Sequence, residues 1–347
     1  MSGRKVTPTG ILAAPSDIPE REWLEMRRTG IGGSDIAALV GLSRYTSPFQ
    51  LYLDKRGELP DLPRSEALER AAEWGHMMEP LMAQRFSDLH GVKVRRVGLI
   101  RHEADPWRLV NLDRQVAGCD DGPCLLEIKN RSAWKAGEWG ESGDPAGVPD
   151  SEALQAHWGM GVTGYRHSHL SVLINGNDDR HYRIDYDPGI AGDVTAMARS
   201  FWQRVQDGNP PPVDGSDAVT ELLSVLWTGR EKAEKIIDPA EAGPLKAELR
   251  RLQAQAAETE AQIAEIKNRM AFMLGDAEEA VWDGETLFTR RQNGAFSAKR
   301  FEADHPDLAA KYTHLVPAID AKALAADQPE LYRAYRARVL RIPGGTK

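Results

Sequence analysis

The sequence predicts an α/β fold, because helix-like and strand-like segments alternate along its first 208 residues. Apolar residues recur every three or four positions over residues 65–90, which is typical of an amphipathic helix. Short apolar runs separated by Asp, Gly and Pro follow at 92–126 and indicate strands. A helical segment at 152–161 then precedes two more runs, HSHLSVLING and RHYRIDYD. This alternation predicts a central mixed sheet flanked by helices.

The composition is that of a soluble enzyme-sized protein with an appendage. The chain has 347 residues, 41% of them hydrophobic, and a formal net charge of −8. No apolar run approaches the ~18 residues that a membrane helix needs, and the N-terminus lacks the apolar core of a signal peptide. We therefore expect a cytoplasmic protein. Cys119 and Cys124 are too few for a disulfide framework and are expected to be reduced thiols without a zinc site.

The N-terminal segment predicts a loosely held arm followed by short helices. Residues 1–19 carry three prolines and little periodicity, so a flexible arm is expected before a helix at 20–29. The glycine-rich run TGIGGSDIAALVG then leads into a helix capped by Ser34 or Asp35. A second short helix is expected to open at Ser47 and to end at Gly57.

Beyond the compact domain, which we place at 20–208, the composition changes. Residues 209–239 contain three consecutive prolines and are predicted to form a linker with a short helix. Apolar residues at heptad spacing predict one long helix over 240–274, whose seam would pack on its own domain, form a helical hairpin, or bind another chain. Residues 275–347 are predicted to form a small α+β tail. From Thr286 onward this tail has 11 Lys or Arg against 6 Asp or Glu.

Three charged residues in the strand cluster form a candidate catalytic centre. In LLEIKN, Glu127 and Lys129 are two residues apart, so both side chains leave the same face of the sheet. Asp113 ends the preceding apolar run, RLVNLD, and the short connection to Glu127 is expected to bring the two carboxylates together. Glu79 lies on or beside the apolar stripe of the long helix at 65–90.

Paired carboxylates at a strand edge are suited to a hard divalent cation. Mg²⁺ and Mn²⁺ both take oxygen ligands and keep waters for a substrate. Such a metal polarises a phosphodiester, while Lys129 would orient water or neutralise charge on the phosphate, and Glu79 would add a ligand or hold a water. The alternative is that these are ordinary surface charges, because the short D…ExK pattern by itself has many false matches.

The chain resembles the YqaJ-like phage recombinase nucleases, relatives of lambda exonuclease in the PD-(D/E)xK nuclease superfamily. Four blocks carry this resemblance in order over about residues 20–190. They are RRTGIGGSDIAALVGLSRYTSPFQLYLDKRGE at 27–58, WGHMMEP at 74–80, LVNLDRQVAG with LLEIKN at 109–130, and the helix of Gln155 before VTGY and a closing strand. Their joint order is more specific than any single block.

The resemblance implies a restriction-endonuclease-like core and a magnesium-dependent exonuclease, with manganese as an alternative ion. Such an enzyme digests the 5′-ended strand of linear duplex DNA and leaves a 3′ single strand for an annealing protein during phage-type recombination. A phage or prophage protein acting in the bacterial cytoplasm is therefore expected. Relatives that work as rings suggest a homo-oligomer. Double-stranded DNA ends are the expected partner, and no membrane is expected.

The resemblance also assigns roles to individual residues. It places metal binding on Asp113, Glu127 and the backbone carbonyl of Ile128, and it makes Lys129 the catalytic lysine. Glu79 and Gln155 become further active-site residues. Arg28 and Ser34 match the positions that face the 5′-terminal phosphate. A glycine-rich loop at a helix N-terminus offers free amides to such an anion, although Ser34 and Asp35 could equally be simple helix caps.

Some positions depart from the family pattern and leave alternatives open. Arg114 follows Asp113 where relatives often have Gly, so Asp120 or Asp121 is a rival to Asp113 as metal ligand. Asp113 is preferred, because it directly ends an apolar strand-like run whereas Asp120 and Asp121 lie in a polar turn. His157 stands where relatives often have a second Gln.

Trp134 and Trp139 could stack on a frayed DNA end.

Two other functions remain open at this stage. One is a catalytically silent module that binds DNA ends or proteins, and the other is an endonuclease of the same superfamily. A binding module has no need of paired carboxylates, which repel phosphate unless a metal intervenes. A terminal-phosphate pocket, in turn, suits an enzyme that works from ends.

Overall fold

A computed structural model describes residues 4–61, 66–226, 234–291, 295–313 and 319–335. The chain divides into two compact units, Met1–Trp227 and Thr228–Lys347, here called the N-terminal and C-terminal units. The predicted α/β class, with a mixed sheet flanked by helices, is confirmed. All the candidate site residues lie in the N-terminal unit.

The helices of the N-terminal unit follow the capping signals in the sequence. In chain order they are α1 (Glu20–Arg27), α2 (Ile36–Leu39), α3 (Pro48–Arg56), α4 (Glu66–His90), α5 (Asp150–Thr163), α6 (Pro188–Asp207) and α7 (Asp217–Leu226). The Ser47 hydroxyl accepts a hydrogen bond of 3.1 Å from the Gln50 amide and so caps α3. Gly57 ends α3 with a φ of 69°, which glycine adopts without steric cost.

The strands form a central five-stranded sheet and a smaller three-stranded one. In chain order they are β1 (Gly10–Ala14), β2 (Lys93–Arg95), β3 (Leu99–His102), β4 (Leu109–Asn111), β5 (Arg114–Ala117), β6 (Cys124–Arg131), β7 (His167–Ile174) and β8 (Asp178–Asp185). The central sheet has the order β2-β5-β6-β7-β8, in which β6 and β7 are parallel and the other neighbours antiparallel. The smaller sheet has the order β1-β3-β4.

Two apolar runs of the strand-like region at 92–126 are each divided between the two sheets. VKVRRVGLI supplies β2 and β3, and WRLVNLDRQV supplies β4 and β5. Gly98 at the first division has a φ of +102°, and a Cβ there would lie 2.3 Å from the Ala14 carbonyl oxygen. Asp113 therefore lies between β4 and β5, where the chain passes from one sheet to the other, and not at the end of a strand.

The expectation of a flexible arm at residues 1–19 is wrong for β1. This strand pairs antiparallel with β3, and Ala14 is buried. The Thr9 amide also donates a hydrogen bond of 3.1 Å to the Thr163 carbonyl at the end of α5. The prolines suggested a loose segment, but the backbone groups of β3 provide partners that sequence periodicity does not reveal.

The two faces of the central sheet pack against different helices. On one face, Met82 and Phe86 of α4 pack with Val116 and Leu126. On the other face, a larger core includes Leu125 of β6 and residues of α5 and α6. Because alternate residues of a strand point to opposite faces, β6 directs Leu125, Glu127 and Lys129 to one side and Cys124, Leu126 and Ile128 to the other.

The N-terminal unit extends beyond the predicted boundary at residue 208. Helix α7 follows the proline-rich segment, and its Val219 and Leu222 are buried, with Leu222 part of the main core. The short helix that we predicted within the 209–239 linker thus belongs to the N-terminal unit. Burial of its apolar face decides this assignment, since the prolines alone indicated a linker.

The C-terminal unit contains a long helix, a hairpin and short helices. Its elements are α8 (Pro239–Leu274), β9 (Glu279–Trp282), β10 (Glu285–Thr289), α9 (Ala298–Asp304), α10 (Pro306–Tyr312), α11 (Ala321–Asp327) and α12 (Pro329–Ala334). No residue of α8 is buried, and its heptad seam is exposed, for example at Leu245 and Ile266. Part of the predicted basic tail, including Arg336, Arg338, Arg341 and Lys347, lies outside the described residues. In the described chain, no helix combines the length and the apolar character required to cross a membrane.

Candidate active site

Strand β6 presents Glu127 and Lys129 side by side on the face that packs against α5. Glu127 is only 2% exposed, and the Lys129 Nζ lies 3.5 Å from its Oε2. The spacing of two residues along the strand produces this arrangement, as the sequence indicates. A buried carboxylate and a half-buried ammonium thus share one small volume.

Gln155 of α5 connects these two groups. Its Nε2 donates a hydrogen bond of 2.8 Å to Glu127 Oε2, and its Oε1 accepts one of 3.2 Å from Lys129 Nζ. One amide side chain therefore satisfies an acceptor and a donor at once, which restrains the rotamers of both charged residues. The structure thus brings Gln155 together with Glu127 and Lys129.

Asp113 joins the site through the backbone of β6. Its Oδ2 accepts a hydrogen bond of 2.8 Å from the amide of Ile128, the residue between Glu127 and Lys129. The connection to Glu127 consists of β5 and a turn over 118–123, and the antiparallel pairing of β5 with β6 returns the chain to Asp113. Asp113 and Glu127 therefore lie on neighbouring segments at one edge of the β5–β6 pair.

The two carboxylates are electrostatically unfavourable as long as no cation balances them. Burial and, after it, the neighbouring Asp113 raise the pKa of Glu127 to about 8, against the opposing effect of Lys129. Burial also raises the pKa of Asp113, against the effects of Lys129 and of the Ile128 amide. When both carboxylates are ionised, the neighbouring cations do not fully balance their charge. A hard divalent cation prefers oxygen ligands of this kind.

Glu79 of α4 contributes charge to the site while being paired with two arginines. Its Oε1 forms ion pairs with Arg114 and, at 3.2 Å, with Arg96. The negative charge of Glu79 nevertheless raises the pKa of both Asp113 and Glu127. Arg114, the departure from the family pattern, thus holds the Glu79 carboxylate.

The glycine-rich loop places Arg27, and not Arg28, beside Ser34. The Arg27 Nη2 donates hydrogen bonds of 2.8 Å to Ser34 Oγ and 2.9 Å to Asp35 Oδ1. Arg28 instead pairs with Asp54 through a contact of 3.3 Å. Sequence reasoning missed Arg27, although the adjacent pair of arginines at the end of α1 was the available signal.

Asp35 is a buried part of this loop. Its Oδ2 accepts a hydrogen bond of 2.8 Å from the Gly32 amide and lies 2.6 Å from the Nζ of the buried Lys55. Two cations from neighbouring helices, Arg27 of α1 and Lys55 of α3, therefore face the single carboxylate of Asp35. A Cβ on Gly33 would lie 3.3 Å from the Gln155 side chain, so the loop contacts the same face of α5 as the carboxylate site.

The remaining candidates separate clearly by burial. His157 is 4% exposed, its Nδ1 accepts from the Asp187 amide at 3.5 Å, and burial lowers its pKa, so it is a core residue. Trp139 is also buried and packs on Tyr182, whereas Trp134 is 95% exposed. The exposed Asp121 is paired with Arg183 at 2.6 Å, away from Glu127.

The expectation that no other metal-binding side chains lie near Cys119 and Cys124 is wrong. The possible ligand atoms of Cys119, Cys124, His167 and His169 all lie within 4.8 Å of one another. The sequence did not reveal this group because the cysteine pair and the histidine pair are far apart in the chain and become neighbours only when β6 and β7 align.

Comparisons with known proteins identify relatives of this chain. The family described as "YqaJ-like viral recombinase domain" matches residues 22–166. The protein YqaJ of Bacillus subtilis (strain 168) is 33% identical over 273 residues, which cover 77% of this chain and 82% of that protein.

Solved structures with a partial likeness include the alkaline exonuclease LHK-Exo from Laribacter hongkongensis and its complex with dAMP. Both are 19% identical and cover 55% of this chain and 94% of theirs, with TM-scores of 0.43 and 0.44 respectively.

Proposed function

Since this chain belongs to the YqaJ-like viral recombinase family, we propose that it is a metal-dependent exonuclease that degrades the 5′-ended strand of linear duplex DNA. The observation that carries this proposal is the convergence of Asp113, Glu127, Lys129 and Gln155 at one end of the β5–β6 pair. The product, a 3′ single strand, suits an annealing protein in phage-type recombination.

The donor set fits a divalent metal. Asp113 and Glu127 would hold it together with the Ile128 carbonyl, and Glu79 would contribute charge or a further ligand. Mg²⁺ is the ion we favour and Mn²⁺ the alternative, since both are hard cations satisfied by oxygen. When bound, the metal polarises the phosphodiester and lowers the pKa of a water.

The protein's own groups then orient the reactants. Lys129 lies within reach of Glu127 and Gln155, so its ammonium is held where it can donate to a water or to a phosphate oxygen. Gln155 is a positioning residue, because it binds both Lys129 and Glu127 and fixes their relative orientation. Paired buried carboxylates serve this chemistry better than DNA binding alone, because they repel phosphate in the absence of a cation.

Digestion of defined DNA substrates tests this proposal. We expect loss of the 5′-ended strand of linear duplexes in Mg²⁺, no activity in EDTA, and no cleavage of covalently closed circles. Cleavage of circles would instead support an endonuclease. Binding of DNA ends without cleavage in Mg²⁺ or Mn²⁺ would support a catalytically silent module.

The loop of Ser34 is proposed to bind the 5′-terminal phosphate. Two observations support this proposal. The Arg27 guanidinium donates a hydrogen bond to Ser34, with Arg28 as the next residue in the chain, and the loop lies close to the Gln155 side chain at Gly33. Arg28 is the position implied by the family, whereas Arg27 makes the contact to Ser34. Both arginines are therefore candidates for the phosphate contact.

Two matched variants separate these arginines. We expect Arg27→Ala to reduce the preference for 5′-phosphorylated over 5′-hydroxyl ends by roughly 10-fold or more, as expected for a lost charge-assisted hydrogen bond. Arg28→Ala is the control of equal size and charge. Initial rates on the two kinds of end provide the measurement. A loss of preference in Arg28→Ala alone would move the phosphate contact to Arg28.

A homo-oligomer is proposed to form through the exposed seam of α8. Leu252, Ile263 and Ile266 lie on this helix at heptad spacing and are 46–56% exposed. We expect light scattering of the full chain to give a multiple of 38.4 kDa, and Leu252→Glu with Ile266→Glu to reduce it. The matched control carries Glu at Gln255 and Lys267. A monomeric wild-type protein would contradict this proposal.

A further inference from the structure

A second cluster of metal-binding side chains lies on the face of β6 opposite Glu127. Cys119 lies in the turn between β5 and β6, and Cys124 begins β6. His167 and His169 begin β7 and share one face of it, being two residues apart. Since Leu125 pairs with Ser168 in the parallel register, Cys124 and His167 are adjacent across the two strands.

The distances within this cluster suit a single tetrahedral ion. The Cys119 Sγ lies 3.3 Å from the Cys124 Sγ and 3.7 Å from the His169 Nε2. All four ligand atoms lie within 4.8 Å of one another. Ligands around tetrahedral zinc are separated by roughly 3.3–3.8 Å, given Zn–S and Zn–N bonds of about 2.3 and 2.0 Å. Only small side-chain rotations would complete the site.

His167 provides independent evidence for a ligand. It is 1% exposed, and neither of its ring nitrogens has a hydrogen-bond partner in the described structure. A buried imidazole with both nitrogens unsatisfied is costly, and a metal bond to one of them removes part of that cost. His169, beside it, already contacts the Cys119 sulfur.

We propose that Cys119, Cys124, His167 and His169 bind one zinc ion in a structural Cys₂His₂ site. Thiolate and imidazole ligands select zinc over the hard cations that suit Asp113 and Glu127. Four protein ligands close the coordination shell, which is typical of a structural and not a catalytic zinc. The proposal is independent of the proposed nuclease activity.

The charge of such a site matches its surroundings. Two thiolates neutralise Zn²⁺, so the bound site has no net charge and can lie against Phe86 and Leu126 of the adjacent apolar core. Nearby, Arg183 pairs with both Asp121 and Asp185, and these three exposed side chains carry one net negative charge.

The position of the site explains what it would stabilise. Zinc would link the β5–β6 turn to the start of β7, across the strand that carries Glu127 and Lys129 three and five residues after Cys124. The Cys/His cluster and the Glu127 site lie on opposite faces of β6. The zinc site would thus fix the end of the catalytic strand without entering the reaction.

Metal content of the full-length protein, purified without chelator, tests the proposal. We expect about one zinc ion per chain by elemental mass spectrometry in the wild type, in Glu127→Gln and in His76→Ala. His76 is an exposed histidine of α4 and the matched control for His169→Ala. Cys124→Ser and His169→Ala should lose the zinc. Retention in Glu127→Gln separates this site from the carboxylate site.

Cobalt and thiol measurements cover the remaining outcomes. Co²⁺ added to metal-free protein should give a thiolate charge-transfer band, and this band should be absent in Cys119→Ser. Because Cys119 lies in a turn, this variant also serves if Cys124→Ser fails to fold. Wild-type protein that neither contains zinc nor binds it when added would overturn the proposal. So would a Cys119–Cys124 disulfide in the protein purified without reductant, or full zinc content in the foldable cysteine variants.

Discussion

Replacing Lys129 by Ala is expected to reduce kcat on linear duplex DNA by at least roughly 100-fold, the typical cost of removing one donor to a developing charge. Glu127 and Gln155 hold the Lys129 ammonium beside the proposed metal ligands, and an alanine side chain leaves that position without a donor. Single-turnover digestion of a 5′-phosphorylated duplex measures the effect.

Two controls make this result specific. Lys93→Ala removes an exposed lysine of β2 and should leave kcat unchanged. Mg²⁺ binding should persist in Lys129→Ala, because an ammonium is not a metal ligand. A Lys129→Ala protein that keeps kcat within about 2-fold of wild type would exclude the catalytic role.

Replacing Glu127 by Gln is expected to have opposite effects on the metal-free and the metal-loaded protein. Burial raises the pKa of Glu127 from 4.5 to about 8, so between these values the folded chain holds a proton that the unfolded chain releases. The stability that this group contributes is therefore present at low pH and lost as pH rises towards 8. The amide side chain of the Glu127→Gln variant cannot ionise and avoids this loss.

Thermal unfolding at several pH values measures this effect. At pH 8 without metal, we expect the Tm of Glu127→Gln to exceed that of the wild type by about 3 °C or more, since each kcal/mol shifts a unit of this size by roughly 2–4 °C. The difference should shrink at pH 5. Added Mg²⁺ should raise the Tm of the wild type but not of the variant, and the variant should be inactive.

Glu152 supplies the control with the opposite sign. Its burial is outweighed by hydrogen bonds from Ser151 and Arg131, which lower its pKa. Its stabilising contribution is therefore present at neutral pH and lost in acid. Glu152→Gln should lower the Tm at pH 8. If Glu127→Gln also lowers the metal-free Tm at pH 8, the inferred cost of ionising the buried Glu127 carboxylate is wrong.

Local patterns in the sequence were sufficient for much of the fold. Period-two spacing indicated that Glu127 and Lys129 share a face, and capping residues placed the ends of α3. The heptad spacing gave the extent of α8 to within one residue at its start. These features depend on interactions between residues a few positions apart, so the local residue types are sufficient to predict them.

What the sequence by itself determined is therefore the α/β class, the strand that carries Glu127 and Lys129 on one face, and the resemblance that pointed to Asp113 and Gln155. The tertiary structure alone decided that β1 completes a second sheet, and that Cys119 and Cys124 meet His167 and His169. Each of these depends on strands or loops distant in sequence becoming neighbours. Such contacts leave no periodic signal in the chain, because the partner of each group is set by the register of the assembled sheet.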